Sequence, residues 1–136
     1  MREIKFRAWD KELNRMCDVI QLGLREIIVN SIEEDEISGF LPIDRFEIMQ
    51  YTGLKDKNGK DIYVSDILAR DGYWSIRIDY EDGCCIARDL DKVRYNNKIL
   101  DVPLCKDKFT NEWEVIGNIY ENPELLIGDD YICVNN

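Results

Sequence analysis

The chain contains no histidine. Within this chain that excludes an imidazole general base, a Cys-His or Ser-His pair, and a histidine-ligated zinc site. It also lacks a C-x-x-C pair, although it has cysteines at Cys17, Cys84, Cys85, Cys105 and Cys133. Adjacent Cys84 and Cys85 are poorly spaced for a metal. An odd cysteine count in a chain read as non-secreted points to reduced thiols in a cytoplasm. Their expected role is that of small buried hydrophobes. Apolar runs such as IIV and ILA are far too short to cross a bilayer, so no membrane partner is expected. MREIKFRAWD alternates charged and apolar residues and lacks the apolar segment of a signal peptide, so no export is expected. There is no internal repeat, low-complexity tract or Gly/Ser linker. No segment places apolar residues at i, i+3, i+4 and i+7 across three turns, which excludes long amphipathic helices.

What is present bounds the rest. The 136 residues suit one domain, 1–136, or two small subdomains sharing a core. A hydrophobic content of 45%, with 10% aromatics, is enough to bury a core. The net charge of −10 is unevenly placed. Glu26–Ile48 carries seven acids and one base, and Glu121–Asn136 carries four acids and no base. The remaining residues balance. A chain of this sign does not look built to hold a phosphate backbone, which demands clustered lysine and arginine. An acidic zone keeps a surface solvated, or meets a basic partner, or imitates nucleic acid.

Period-two alternation recurs along the chain and predicts strands. In IKFRAWD, Ile4, Phe6 and Ala8 fall on one face and Lys5, Arg7 and Trp9 on the other. DKELN supplies a turn, and RMCDVIQLGL a partner strand. REIIVN is a short β-branched strand. SIEEDEISG has neither period and reads as an exposed acidic loop, a candidate subdomain seam near Glu33–Glu36; the candidate subdomains are an N-terminal hairpin region, 1–48, and a barrel, 49–128. Pro42 breaks FLPIDRFEIMQY, leaving a strand over Phe46–Tyr51. DILAR, YWSIRIDY and CCIARDL follow, separated by Asp71-Gly72 and EDG turns, and predict an antiparallel meander. YWSIRIDY places Trp74, Ile76, Ile78 and Tyr80 together. DLDKVRYNNKILDVPL stays open between a hairpin turned at Asn96-Asn97 and a long loop. EWEVIGNIY is a last strand, and ENPELL a single helical turn with Asn122 as its cap and Pro123 in first position. Short strands with close turns mean an all-β barrel or sandwich.

YTGLKDKNGKDIYVSDIL demands a separate test. An EF-hand calcium loop with Gly59 in sixth position would need carboxylates where Leu54 and Ser65 stand. Starting at Asp56 puts Asp61 where the glycine belongs. A P-loop fails because Gly53 and Gly59 are one residue too far apart, and Lys60 precedes Asp61 rather than Ser or Thr. An Asn58-Gly59 type I′ turn fits better. It would oppose Lys57 to Lys60 and Asp56 to Asp61 at an exposed tip, two like-charge pairs that each cost a few tenths of a kcal/mol.

Three strings carry a resemblance. MREIKFRAWDKELNRM, MQYTGLKDKNGKDIYVSDIL and EVIGNIYENPELL resemble the three signatures of the YopX family, small proteins of bacteriophages and prophages in Gram-positive bacteria. The strings span nearly the whole chain in the expected order; the region from Asp71 to Glu112 is less family-defining. The resemblance implies a phage or prophage origin, a host cytoplasmic location and self-association into a homo-oligomer. It implies an all-β fold with antiparallel hairpins and a meander, in which an N-terminal β subdomain precedes a small SH3-like barrel. The family brings no biochemical activity, so it transfers no catalytic, metal or cofactor residues. Where the family often reads YEGDIV this chain has YVSDIL. Ser65 thus replaces a glycine, and a positive φ is not expected there. Val64 replaces an acidic residue, whose role is lost here.

With 28 acidic residues, any chosen carboxylate pair is uninformative, and Glu81-Asp82 and Asp129-Asp130 read as exposed turns. Trp9, Trp74 and Trp113, with the tyrosines, are candidates for a stacking surface for single-stranded nucleic acid. Trp74 reads as core, and Trp9, beside Lys5 and Arg7, as an interface anchor. Arg70, Arg77, Arg88 and Arg94 are interleaved with acids, which favours cross-strand ion pairing over a basic face. The expectation is a non-enzymatic module with no cofactor that binds a host or phage protein through Trp9, Glu33, Glu34, Asp35 and Glu36. The alternative is a nucleic-acid-linked protein, either a barrel-face binder or an acidic DNA mimic.

Overall fold

Alternation yields strands wherever the sequence carries it. The computed structural model describes residues 3–32, 34–70, 75–81, 83–89, 101–103 and 112–126. The chain divides into two units, Met1–Tyr51 and Thr52–Asn136. Nearly all regular structure is antiparallel β, as expected. No described helix is long and apolar enough to cross a membrane.

Unit one contains β1 (Phe6–Asp10), β2 (Arg15–Leu22), β3 (Glu26–Ser31), β4 (Leu41–Pro42) and the first part of β5 (Phe46–Lys55). Their order across the sheet is β4-β3-β2-β1-β5. The predicted first hairpin forms, with Ala8 opposite Cys17 and Trp9 opposite Met16. Pro42 interrupts the chain as expected, and a 3-10 turn at Ile43–Arg45 leads into β5. Ala8, Cys17, Ile27, Val29 and Phe46 form the core, with Val19, Leu41 and Ile48 packed on it. Ile4, expected on the buried face, lies before β1 and is exposed.

Unit two begins with the end of β5 and its hairpin to β6 (Asp61–Tyr63). It continues with β7 (Asp66–Ala69), β8 (Ile76–Glu81), β9 (Cys84–Asp89), β10 (Asp101–Pro103) and β11 (Glu114–Asn118). The meander is present as β7-β8-β9-β10, and β11 returns to the far side of β7, giving the order β10-β9-β8-β7-β11. Among the described residues this is an open five-stranded sheet, not a closed barrel. Ile62, Leu68, Ile76, Ile78, Ala87, Trp113 and Val115 make its core. Each large aliphatic side chain buried there contributes about 1.5–3 kcal/mol.

Several expectations need correction. Tyr80 was grouped with Ile76 and Ile78, but at the strand's end it is 57% exposed. Cys84 was expected to be buried; it opens β9 at a turn and is exposed, whereas Cys17 is buried. Burial pushes the Cys17 thiol above its usual pKa. Residues 101–103 of the ambiguous stretch form β10, paired with β9. Trp113 lies in the core rather than on a stacking surface. Trp74, Arg94, Cys105, Cys133, the Asp71-Gly72 and Asn96-Asn97 turns, and Asp129-Asp130 lie outside the described residues.

Candidate interaction surface and the turns that carry it

The acidic loop is exposed, as expected, but it is held. Ser31, buried at the end of β3, binds it at three points. Its N–H donates to the Glu36 carbonyl at 3.0 Å, and its carbonyl accepts from Asp35 N–H at 2.8 Å. Its Oγ accepts from Glu34 N–H at 3.3 Å. Asp35 takes a positive φ of 50°, which aspartate tolerates better than most residues. Two carboxylates have partners within the unit. Glu34 Oε2 lies 3.1 Å from Arg15 Nη1, and Asp35 Oδ1 accepts from Asn30 Nδ2 at 3.2 Å. Glu33 lies outside the described residues.

The structure does not bring Trp9 to this loop's side of the sheet. Trp9 pairs with Met16 and Glu47 and is half-buried. Arg15, which holds Glu34, pairs instead with Asp10. Successive strand residues alternate in direction, so Trp9 and Arg15 leave opposite faces. Sequence reasoning missed the apolar side chains around the loop. Ile32 is 54% exposed, Ile37 64% and Phe40 65%. Their signal was the isoleucines and phenylalanine interspersed in SIEEDEISGF, too irregular for a strand face.

It also missed a set of buried polar side chains at turns. Asp10 lies buried at the end of β1. Its Oδ1 accepts from Glu12 N–H at 3.0 Å and Leu13 N–H at 3.2 Å. Arg45 adds a two-toothed grip, Nε to Oδ1 at 2.9 Å and Nη2 to Oδ2 at 2.7 Å. Burial alone would raise the Asp10 pKa. The Arg45 hydrogen bonds and the two amides outweigh it and hold the carboxyl below its ordinary value.

The Asn58-Gly59 turn departs from the expected type. Asn58 does not have a positive φ; Gly59 does, at 80°. Gly59 N–H donates to the Asp56 carbonyl at 3.0 Å, and Asp56 N–H to the Lys60 carbonyl at 2.8 Å. This is a three-residue loop closed by a bulge at the glycine, so Asp56 faces Lys60. The like-charge pairs disappear, and Lys55 Nζ meets Asp61 Oδ1 at 2.6 Å. Asp56 is buried. Its Oδ1 accepts from Asn58 and Lys60 N–H at 2.8 and 2.9 Å. Its Oδ2 accepts from Val115 N–H at 2.9 Å, stapling the hairpin to β11.

Ser65 has a φ of 83°, against expectation. Its N–H donates to the Ile78 carbonyl at 2.7 Å, and its carbonyl accepts from Ile119 N–H at 3.1 Å. These two bonds impose a conformation that a glycine would adopt without strain. Asp66 Oδ2 closes the same turn through Tyr63 N–H at 2.8 Å.

At the third turn, Asn118 Oδ1 accepts from Tyr120 and Glu121 N–H at 3.0 and 2.8 Å. Asn122 Oδ1 points back to Asn118 N–H at 3.2 Å rather than forward into the Pro123–Leu126 3-10 turn. Its side chain therefore locks the preceding turn, while its carbonyl accepts from Leu125 N–H at 3.0 Å and opens the following one. A Cβ on Gly117 would stand 2.4 Å from Asn122 Oδ1, so any side chain there must displace Asn122.

The described arginines of the meander region are ion-paired, and Arg88 with Asp79 is a pair across strands. Arg77 and Arg88 each reach Asp79 Oδ2 at 2.9 Å, and Arg70 reaches Glu112 at 2.9 Å. Among the described residues, no three carboxylates or thiols gather as a metal-binding group.

The YopX protein family model matches residues 5–127. The chain belongs to the YopX family. A crystal structure of protein EF1440 from Enterococcus faecalis is similar to this YopX chain, with 31% identity and a TM-score of 0.68. The match covers 93% of this chain and 100% of that one. Protein yopX from Bacillus subtilis covers the same shares at 20% identity and a TM-score of 0.50, a likeness of fold. No curated protein matches the sequence. The three YopX-like strings of this chain are the ones that carry Asp10, then Asp56, Ser65 and Asp66, then Gly117 and Asn118.

Proposed function

We propose that this YopX-family chain is a non-enzymatic protein-interaction module, encoded by a phage or prophage, acting in the bacterial host cytoplasm and self-associating. The observation that carries the reading is the acidic loop of unit one. Ser31 holds its backbone in one shape, and Ile32, Ile37 and Phe40 stand exposed around its carboxylates. Ordered apolar side chains among acids suit a protein surface carrying basic and apolar groups. The buried carboxylates support a non-catalytic role, because Asp10, Asp56 and Asp66 are engaged by turn amides, and Asp10 by Arg45 as well. Acidic DNA mimicry ranks second. Two carboxylates of the loop, on Glu34 and Asp35, are neutralised or bound within the unit, which weakens any row of free charges.

The test is affinity capture from host cells with the parent chain and with an Ile32→Ser/Ile37→Ser variant whose fold is checked by circular dichroism. The reading expects one host or phage protein held by the parent and lost by the variant, at unchanged fold. Retention of that protein by the variant, or salt-dependent DNA binding by the purified parent without any protein partner, overturns it.

A further inference from the structure

Asn58–Gly59 is the chain's one Asn-Gly pair. In such a pair the glycine nitrogen can attack the asparagine Cγ, since no glycine Cβ obstructs the approach. Access is open here: nothing lies within 4 Å of where a Gly59 Cβ would stand, and residues 57–60 are exposed to water. Three hydrogen bonds oppose the attack. Gly59 N–H, whose proton must leave, donates to the Asp56 carbonyl at 3.0 Å. Asn58 N–H donates to Asp56 Oδ1 at 2.8 Å. Asn58 Nδ2, the leaving group, donates to Glu114 Oε1 at 3.3 Å. The carboxylate behind this clamp is buried and anchored to β11 through Val115 N–H. The same turn thus combines a reactive dipeptide with a device that restrains it.

We propose that Asn58 is a latent deamidation site gated by the Asp56 clamp. When the tip releases, Gly59 N bonds to Asn58 Cγ and the C–Nδ2 bond breaks. The proton lost by Gly59 N balances the one gained by the departing ammonia. Water then opens the five-membered imide at either carbonyl and leaves aspartate or isoaspartate. No reactant other than water is consumed. The product changes the clamp. A carboxylate now faces Glu114 where an amide donor stood, a like-charge contact. Isoaspartate also lengthens the main chain inside a three-residue loop and displaces the Asp56–Lys60 pairing. Reaction is therefore one-way: a held tip becomes a loosened one.

The experiment incubates the full chain in mildly alkaline buffer across a urea series. Peptide mapping resolves the asparagine, aspartate and isoaspartate forms of the segment containing position 58. The folded chain should convert at least about tenfold more slowly than the unfolded one, the factor equivalent to one hydrogen bond to a charged group. The rate should rise at urea concentrations below the main unfolding transition, because only the tip must open. Asp56→Asn should accelerate conversion while circular dichroism still reports a folded chain. If that variant does not fold, the urea series of the parent decides. Equal rates in folded and unfolded chains, acceleration confined to global unfolding, or no conversion at position 58 in urea overturns the proposal.

Discussion

Units one and two each bury an aspartate at a hairpin turn, but they partner it differently. In unit one, Asp10 binds two turn amides and the Arg45 guanidinium. In unit two, Asp56 binds three backbone amides, two from its own turn and one from β11. A guanidinium brings a full charge that must itself be desolvated, and its loss strands that charge or its partner. Backbone amides bring dipoles whose direction the fold has already set. The lesson is that one residue type serves as a charge lock in one unit and as a backbone staple in the other.

The largest effect should come from breaking the charge lock. Asp10→Ala should cost about 3–5 kcal/mol, since it leaves two turn amides without their acceptor and Arg45 with only the exposed Glu12 carboxylate, 3.4 Å away. Urea unfolding, with amide exchange read on the β1–β2 turn, measures it. A double-mutant cycle with Arg45→Ala should show strong coupling. Near-additivity would break the comparison. The lock also predicts a pH dependence. The folded Asp10 carboxyl titrates below its ordinary 3.8, so its contribution is present above that value. It is lost as pH falls from there through the lowered folded pKa. Asp10→Asn should remove this part of the acid sensitivity.

Asp56→Ala should cost about 1–3 kcal/mol, mostly through the buried Val115 amide, and should raise exchange in the β5–β6 hairpin and β11. A larger loss than that of Asp10→Ala would reverse the ranking of the two devices. Gly117→Ala should cost about 1–3 kcal/mol, because the new methyl displaces Asn122 from Asn118 N–H. Ser65→Gly should gain about 0.5–1 kcal/mol in thermal or urea unfolding by relieving the positive φ. At the small end, Lys55→Ala should change stability by less than about 1 kcal/mol. Its 2.6 Å contact with Asp61 is a solvent-exposed ion pair.

The legible parts of the fold were those set by side-chain period. Period-two alternation located β1, β2, β3, β8 and β9, and close turn signals implied the meander. The 3-10 turn at Pro123 followed from proline's tolerance for a first helical position. Illegible were features where one residue's conformation depends on bonds from remote strands. Nothing local tells Ser65 to take a positive φ; Ile78 and Ile119 do. The bulges that turn Ile20 and Ile116 outward are register shifts between strands. Of the candidate surface, the acidic loop was readable from its charge and lack of period. Its grip by Ser31, and the separation of Trp9 onto another face, were not.

By itself, then, the sequence determined the β class, the strand positions, the family and the exclusion of histidine chemistry, because these follow from composition, period and motif. Which turn forms at Asn58-Gly59 was decided by tertiary structure. A type I′ turn and a bulged three-residue loop suit the same six residues. Asp56 can reach Val115 only after β11 has returned beside β7, and the bulged loop places Lys55 against Asp61. The same physical reason holds at Asp10 and Ser65. Chain neighbours supply turn amides to Asp10 and Asp56, but Arg45 and Val115, 35 and 59 residues away, are partners that only the folded chain brings to them.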